Sequence, residues 1–316
     1  MTDQLNRRAF RLAAEISQAA GELRVLCHEL AGGGYVIDCG VNVEGGLAAG
    51  LALARTTLSG FAQVTLNPGT LAGVPCPQVQ VVSDSPVEAC LLSQYAGWQI
   101  NVGDFFAMGS GPMRAAAGVE ELFAKLGYGE DSECTVGVLE TSRIPDDSVL
   151  QYIAAKAKVA AEHVTLLVAP TASQAGNIQI VSRSVETALH KLFELDFDVQ
   201  RVRSAVGTAP LPPVAADDLT GIGRTNDAIL YGARTVLYVT GDDESLEEIG
   251  PRVPSAASIA YGKPFVKIFE EADRDFYSID PLLFSPAQVV FQNLATGRVH
   301  EFGSVREDIL QDSFGY

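Results

Sequence analysis

Residues 164–169 read VTLLVA, an unbroken apolar strand, and a loop from Pro170 to Gly176 and a second apolar segment from Ile178 follow it directly. The same order recurs along the chain: short strand, loop, helix. That recurrence restricts the fold to α/β or α+β layering. Tyr35 to Cys39 is a strand rich in β-branched residues, ahead of an Ala- and Leu-rich helix over 48–59. Further short strands fall at 61–66, 79–82, 98–102 and 135–140, with helices at 85–94, where Pro86 stands near the start, and at 147–160. Gly103 to Ala117 (GDFFAMGSGPMRAAA) reads as a glycine loop opening a helix over 113–126. Gly207 to Pro213 reads as a proline-rich connection, and 227–238 mixes helix and strand signals. A helix over 264–272 and strands over 287–291 and 299–302 complete the pattern. At the N-terminus Phe10, Leu12, Ala13, Ile16 and Ala20 form a helical stripe.

No linker or repeat interrupts this alternation. The 316 residues suffice for one large domain or two lobes, and the expectation is one catalytic unit of two interleaved α/β lobes, at 1–130 and 131–316. Hydrophobic residues make up 47% and charged residues 19%, which provides for a core. The net charge of −17 repels nucleic-acid phosphate and anionic lipid, so neither is expected as a partner. Arg7-Arg8-Ala9-Phe10 faintly resembles a twin-arginine signal, but Glu15 and Gln18 interrupt the apolar run such a signal needs. No run of about 18 apolar residues exists to span a membrane. Five cysteines without CxxC spacing suit reduced thiols in a cytoplasmic protein. Four scattered histidines give no metal-site spacing.

The candidates for chemistry are few. Gly109-Ser-Gly-Pro-Met-Arg114 opens a helix, yet it lacks the third glycine of a dinucleotide fingerprint and the GK[ST] of a Walker loop. It is either a tight turn or a cradle for a ligand's polar edge. Ser110, Ser173 and Ser182 have no GxSxG around them. Cys39, at a strand end, is either a reactive thiol or a small buried hydrophobe. Arg183 and Glu186 stand three apart in NIQIVSRSVETALHKL (177–192). If Val181, Val185, Leu189 and Leu192 are the buried stripe, the pair lies beside or across from it. The common case for such a pair is a solvated helix face contributing about 0.2–0.5 kcal/mol. The functional alternative is a carboxylate that activates water, with a guanidinium to orient it or balance its charge.

Taken together, VIDCGVNVEGG (36–46), SQYAGWQI (93–100), DFFAMGSGPMRA (104–115), LVAPTAS (167–173), GNIQIVSRSVETA (176–188), GRTNDAILYG (223–232), YGKPF (261–265), DFYSID (275–280) and FSPAQVV (284–290) closely resemble the methenyltetrahydromethanopterin cyclohydrolase family. The likeness covers nearly the whole chain. It implies two lobes enclosing a deep pocket, assembly as a homotrimer, and no metal or redox cofactor. The implied reaction interconverts the 5,10-methenyl and 5-formyl forms of a tetrahydromethanopterin-type one-carbon carrier by adding or losing water. In methylotrophic bacteria that serves formaldehyde oxidation. By the same resemblance Glu186 is the base and Arg183 holds the water or sets the carboxylate's ionisation. Tyr95, Asp104, Phe105, Phe106, Gly109, Ser110, Gly111, Thr171 and Ser173 are implied to contact the substrate. For Asn226, Tyr261 and Lys263 a structural role is as well supported as a binding one. One departure stands out: archaeal members commonly read SQKAGW where this chain has SQYAGW. Loss of that cation suits a carrier with fewer anionic groups, the dephospho form. Two other readings remain at this level. A dehydrogenase on the same carrier would need a nicotinamide site. A carrier-binding protein without turnover would leave Arg183 and Glu186 unexplained.

Overall fold

Every residue of Val164–Ala169 is buried, and this strand lies at the middle of a six-stranded sheet. The computed structural model describes residues 4–316, the side chain of Tyr277 excepted. In chain order the strands are β1 (Leu26–Glu29), β2 (Tyr35–Asp38), β3 (Gln63–Asn67), β4 (Thr70–Leu71), β5 (Val74–Pro75), β6 (Gln78–Ser83) and β7 (Trp98–Val102). There follow β8 (Phe105–Ser110), β9 (Thr135–Glu140), β10 (Val164–Ala169), β11 (Val202–Pro210), β12 (Arg234–Val239), β13 (Gln288–Asn293) and β14 (Val299–Gly303). The chain divides into two units: Met1–Ala62 with Glu88–Gln179, and Gln63–Val87 with Ile180–Tyr316. Each is built from two stretches of sequence, and a cut at 130/131 runs through the first.

In the first unit the strand order is β1-β2-β10-β9-β8-β7. β2, β10 and β9 run parallel, β1 and β8 are antiparallel to their neighbours β2 and β9, and β7 is antiparallel to β8. Side chains alternate between two cores. Leu166 and Val168 join Val36 and Leu139 against Val149, Leu150 and Ile153 of the Asp147–Ala157 helix. Leu167 and Ala169 join Ile37, Val136 and Val138 against Ala9, Ala13 and Ile16 of the Leu5–Gln18 helix and Leu53 of the Leu47–Thr57 helix. Helices therefore cover both faces, which is why VTLLVA is apolar nearly throughout. Each of the valine, leucine and isoleucine side chains contributes about 1.5–3 kcal/mol by leaving water.

The second unit is a sheet of order β14-β13-β12-β11-β6-β3, antiparallel except for β12 with β13. The Ser184–Glu194 helix packs on β11 and β12. The mixed α/β class expected from the sequence is the class observed in both units. No helix among the described residues is long and apolar enough to cross a membrane.

Several local expectations are corrected. The first helix buries Leu5, Asn6, Ala9, Ala13 and Ile16, while Phe10 points outward. The 85–94 segment is a π-helix over Val87–Gln94. The glycine loop at 103–111 is mostly the strand β8, registered against β7 and β9. The helix expected over 113–126 is two short ones, Met113–Ala117 and Glu121–Lys125, parted at Gly118, whose φ is +58°. The connection expected at 207–213 is largely β11, and Pro210 is tolerated at that strand's last position.

Two buried carboxylates cap helices that are distant in sequence. Glu130 accepts from the N–H groups of Leu5 (3.1 Å) and Asn6 (2.9 Å), where the preceding Gln4 makes no side-chain cap. Asp227 accepts from the N–H of Phe265 (2.7 Å) at the start of the Phe265–Glu271 helix. Burial pushes the Asp227 carboxyl up to about 7, against the opposing pull of the Ser313 hydroxyl and that N–H. The folded chain thus holds this proton more tightly than the unfolded chain, whose aspartate titrates near 4. Its contribution to stability is full below about pH 4 and declines as pH rises to about 7. Asp227→Asn removes that part of the slope. Denaturation midpoints of wild type and variant should therefore shift in the variant's favour between pH 5 and pH 7.5, as buffer pH values chosen about the titration; a constant difference would refute the assignment.

Candidate functional site

Arg183 and Glu186 belong to the second unit, and neither is on a solvated face. Their side chains are 9% and 4% exposed, and Arg183 Nη1 lies 3.8 Å from Glu186 Oε2. The local backbone explains the placement. The Gln174–Val181 helix stops, Ser182 and Arg183 intervene, and the Ser184–Glu194 helix begins. Arg183 N–H donates to Ile180 O (3.1 Å), and Arg183 O accepts from the Thr187 N–H (2.9 Å) and hydroxyl (3.0 Å). Glu186 falls in the first turn of the second helix, where the unpaired N–H groups favour a carboxylate. Val185, Leu189 and Leu192 form the expected stripe, but Ser184, Ala188 and Lys191 are buried too. The helix is covered on most of its circumference, so the charged pair is enclosed rather than set opposite a wet face. Taking such charges out of water costs several kcal/mol each, which makes a purely stabilising role a poor explanation.

Lys191, on the same helix, is also buried and donates from Nζ to Leu282 O. Burial lowers its ammonium to about 8, partly offset by Asp280.

The other expected residues belong to the first unit. β9 and β10 end together: Glu140 is in register with Ala169, and the Thr171 hydroxyl donates to Glu140 Oε1. Ser173 Oγ donates to Pro170 O (2.7 Å) and accepts from Gly176 N–H (3.0 Å), which fixes the loop that starts the Gln174–Val181 helix. On the same edge Asp38, at the end of β2, accepts from the N–H groups of Gly40 (2.9 Å), Val41 (2.6 Å) and Asn42 (2.8 Å). The carboxyl ends of parallel strands are where α/β sheets place ligands. Thr171, Ser173, Glu140 and the Asp38 loop are gathered there.

β8 carries the remaining candidates. Asp104 is exposed at the β7–β8 turn, and its carbonyl accepts from Arg143 (3.1 Å). Phe105 is half-buried, Phe106 is 51% exposed, and Gly109 and Ser110 are buried. Ser110 Oγ donates to Val138 O (3.2 Å). A Cβ at Gly109 would sit 2.9 Å from Trp98 O, so this glycine serves close strand approach. Gly111, at φ +86°, makes the turn into the next helix.

Arg114 is fully buried. It donates from Nε to Glu120 (2.7 Å), pairs its Nη2 with the same carboxylate, and donates from Nη1 to Leu91 O (3.3 Å) and Ser93 O (3.1 Å). It is an anchor for the end of the π-helix, not an anion receptor. Tyr95 follows that helix, donates its N–H to Cys90 O (2.9 Å), and sets its ring 4.9 Å from the Arg114 guanidinium. Cys39 is buried and its thiol is pushed up by desolvation, which removes the reactive-thiol reading.

The family model described as Cyclohydrolase (MCH) matches residues 4–314. The chain belongs to this family of cyclohydrolases. It is 46% identical over 288 residues to the methenyltetrahydromethanopterin cyclohydrolase of Rhodopirellula baltica, covering 90% of this chain and 86% of the relative. It is 42% identical to the protein of the same name from Methanothermobacter thermautotrophicus, covering 98% and 99% of the two chains. With that of Methylobacillus flagellatus it shares 41%, over 96% and 93%.

For a cyclohydrolase, the buried Arg183–Glu186 pair offers a proton acceptor and a fixed positive charge three residues apart on one helix start. Glu140, the last residue of an anticipated strand, was not among the expected site residues; the fold brings its carboxylate to the Thr171 hydroxyl. Among the described residues no group of three or more His, Cys, Asp or Glu side chains is arranged to hold a metal ion.

Proposed function

We propose that this cyclohydrolase interconverts the 5,10-methenyl and 5-formyl forms of a tetrahydromethanopterin-type carrier. The relatives' names supply the carrier, and the burial of Arg183 with Glu186 carries the mechanism. The methenyl carbon lies between two nitrogens as an amidinium and is already electrophilic. Water adds to it while Glu186 takes the water's proton. The new hydroxyl then gives up its proton as the bond from that carbon to one nitrogen breaks; that nitrogen takes a proton, and the carbon remains on the other as formyl. Cationic substrate and water thus become neutral formyl product and one released proton. No electron is transferred. A guanidinium 3.8 Å from Glu186 favours the charged carboxylate against the effect of burial, and that form is the one able to accept a proton.

The pterin is proposed to contact Tyr95, Asp104, Phe105, Phe106, Gly109, Ser110, Gly111, Thr171 and Ser173. Position 95 bears a phenol, and the nearby Arg114 charge is met by Glu120, which suits the dephospho carrier with its smaller anionic tail. A cytoplasmic homotrimer serving one-carbon metabolism and formaldehyde oxidation completes the proposal.

The test follows the near-ultraviolet band of the methenyl carrier on addition of purified protein, with long-tailed and dephospho carriers side by side. Rapid loss of the band, faster with the dephospho form, is expected. Preference for the long tail refutes the tail assignment, and no loss with either refutes the reaction.

A further inference from the structure

The helix start that bears Arg183 and Glu186 sits on a notch in the sheet of the second unit. Gly207 of β11 and Thr235 of β12 are direct partners in the antiparallel register. Above them lies Ser184, between the two charged residues. The Thr235 hydroxyl donates to Ser184 O (2.9 Å), and both residues are fully buried. At Gly207 a Cβ would collide with Ser184 Oγ and lie 2.8 Å from Val185 Cγ2 and 3.1 Å from Ser184 Cβ. The backbone of β11 is thus approached more closely than any side chain permits. The rest of the helix is tied separately, by Lys191 to Leu282 O.

We infer that the Gly207–Thr235 pair is a positioning device for the Arg183–Glu186 turn: glycine sets its height above the sheet, and the threonine hydroxyl sets its rotation. This rests on the proposed function, in which Glu186 must meet a water with hydrogen-bond geometry. Glu186 is two residues from the seat, within the same helical turn, so a lift at Ser184 is passed to the carboxylate with little attenuation. The bland alternative is that Gly207 only allows packing and Thr235 only satisfies its own hydroxyl. Then substitution would lower stability and leave the turnover of folded protein alone.

The experiment compares wild type, Gly207→Ala, Thr235→Val, Thr235→Ser and the double variant Ser184→Ala/Gly207→Ala. The rate and pH profile of the hydration are measured on protein shown to be folded by circular dichroism. A misplacement on the order of 1 Å costs about 10²-fold in rate, so Gly207→Ala should lose roughly that in kcat with KM little changed. The double variant should recover part of it, because the Ser184 hydroxyl makes no hydrogen bond and its removal relieves the collision. Thr235→Val should lose about five- to tenfold, and Thr235→Ser should restore it. Wild-type kcat and pH profile in both Gly207→Ala and Thr235→Val overturn the inference. If Gly207→Ala does not fold, the threonine pair decides: no loss in valine, or equal loss in serine, overturns it. Wild-type turnover and its loss in Glu186→Gln are read in the same series. A wrong reaction shows in the wild type itself, whereas a wrong inference shows only in the notch variants.

Discussion

Glu186→Gln is expected to bind the methenyl carrier and barely turn it over. The substitution keeps the shape of a side chain that is 4% exposed and removes its charge and its ability to take a proton. Positioned proton acceptors contribute about 10²- to 10⁴-fold, and the loss in kcat should fall in that range. An interaction made only in the transition state lowers kcat and kcat/KM together, so KM should move little. The amide leaves the buried Arg183 charge poorly compensated, which costs stability, so turnover is read on protein shown to be folded by circular dichroism. The measurement is the single-turnover decay of the methenyl band, with binding followed separately by titration. A loss smaller than about tenfold would remove Glu186 from the role of base and leave the rest of the reaction assignment standing.

How much of this was legible beforehand depends on whether the signal was local. VTLLVA could be read as a strand because its burial on both faces is written into its own six residues. The alternation of strands and helices followed from the same kind of local pattern. GDFFAMGSG misled because glycine is read as a turn former. In β8 the glycine at 109 serves instead to let β7 come close at Trp98, a tertiary demand. The caps supplied by Glu130 to Leu5 and by Asp227 to Phe265 were invisible for a like reason: each joins residues far apart in sequence. Interleaved lobes were expected, but their boundaries were not legible, since no shift in composition marks 62/63, 87/88 or 179/180.

The charged pair shows the limit most plainly. Val181, Val185, Leu189 and Leu192 define one covered face, and periodicity says nothing about whether the other faces are covered as well. Only the sheet beneath Ser184 and the turn over Lys191 make the enclosure evident. Resemblance named Arg183 and Glu186 as a pair. The structure adds that both are buried, and burying two charges is costly enough to leave stability a poor reason for them.

Arg183→Gln should therefore act on both stability and the pH profile. Removing one member of an enclosed pair leaves the other charge poorly compensated, which costs roughly 3–5 kcal/mol of folding stability near neutral pH. A carboxylate that loses a neighbouring cation holds its proton more tightly. The acidic limb of kcat/KM should accordingly move to higher pH, with activity that is depressed at neutrality partly returning as pH rises. Arg183 Nη1 lies 3.8 Å from Glu186 Oε2, close enough for its charge to bear on the carboxylate. Arg183→Lys keeps the charge and should hold the limb closer to its wild-type position than Arg183→Gln does, even where both lose rate. Stability is measured by denaturant midpoint at pH values on either side of the limb, since a carboxylate able to take its proton escapes the uncompensated state and the penalty should shrink on the acid side. A glutamine variant whose limb coincides with the wild type would show that Arg183 does not set the ionisation of Glu186, and would confine the guanidinium to holding the water.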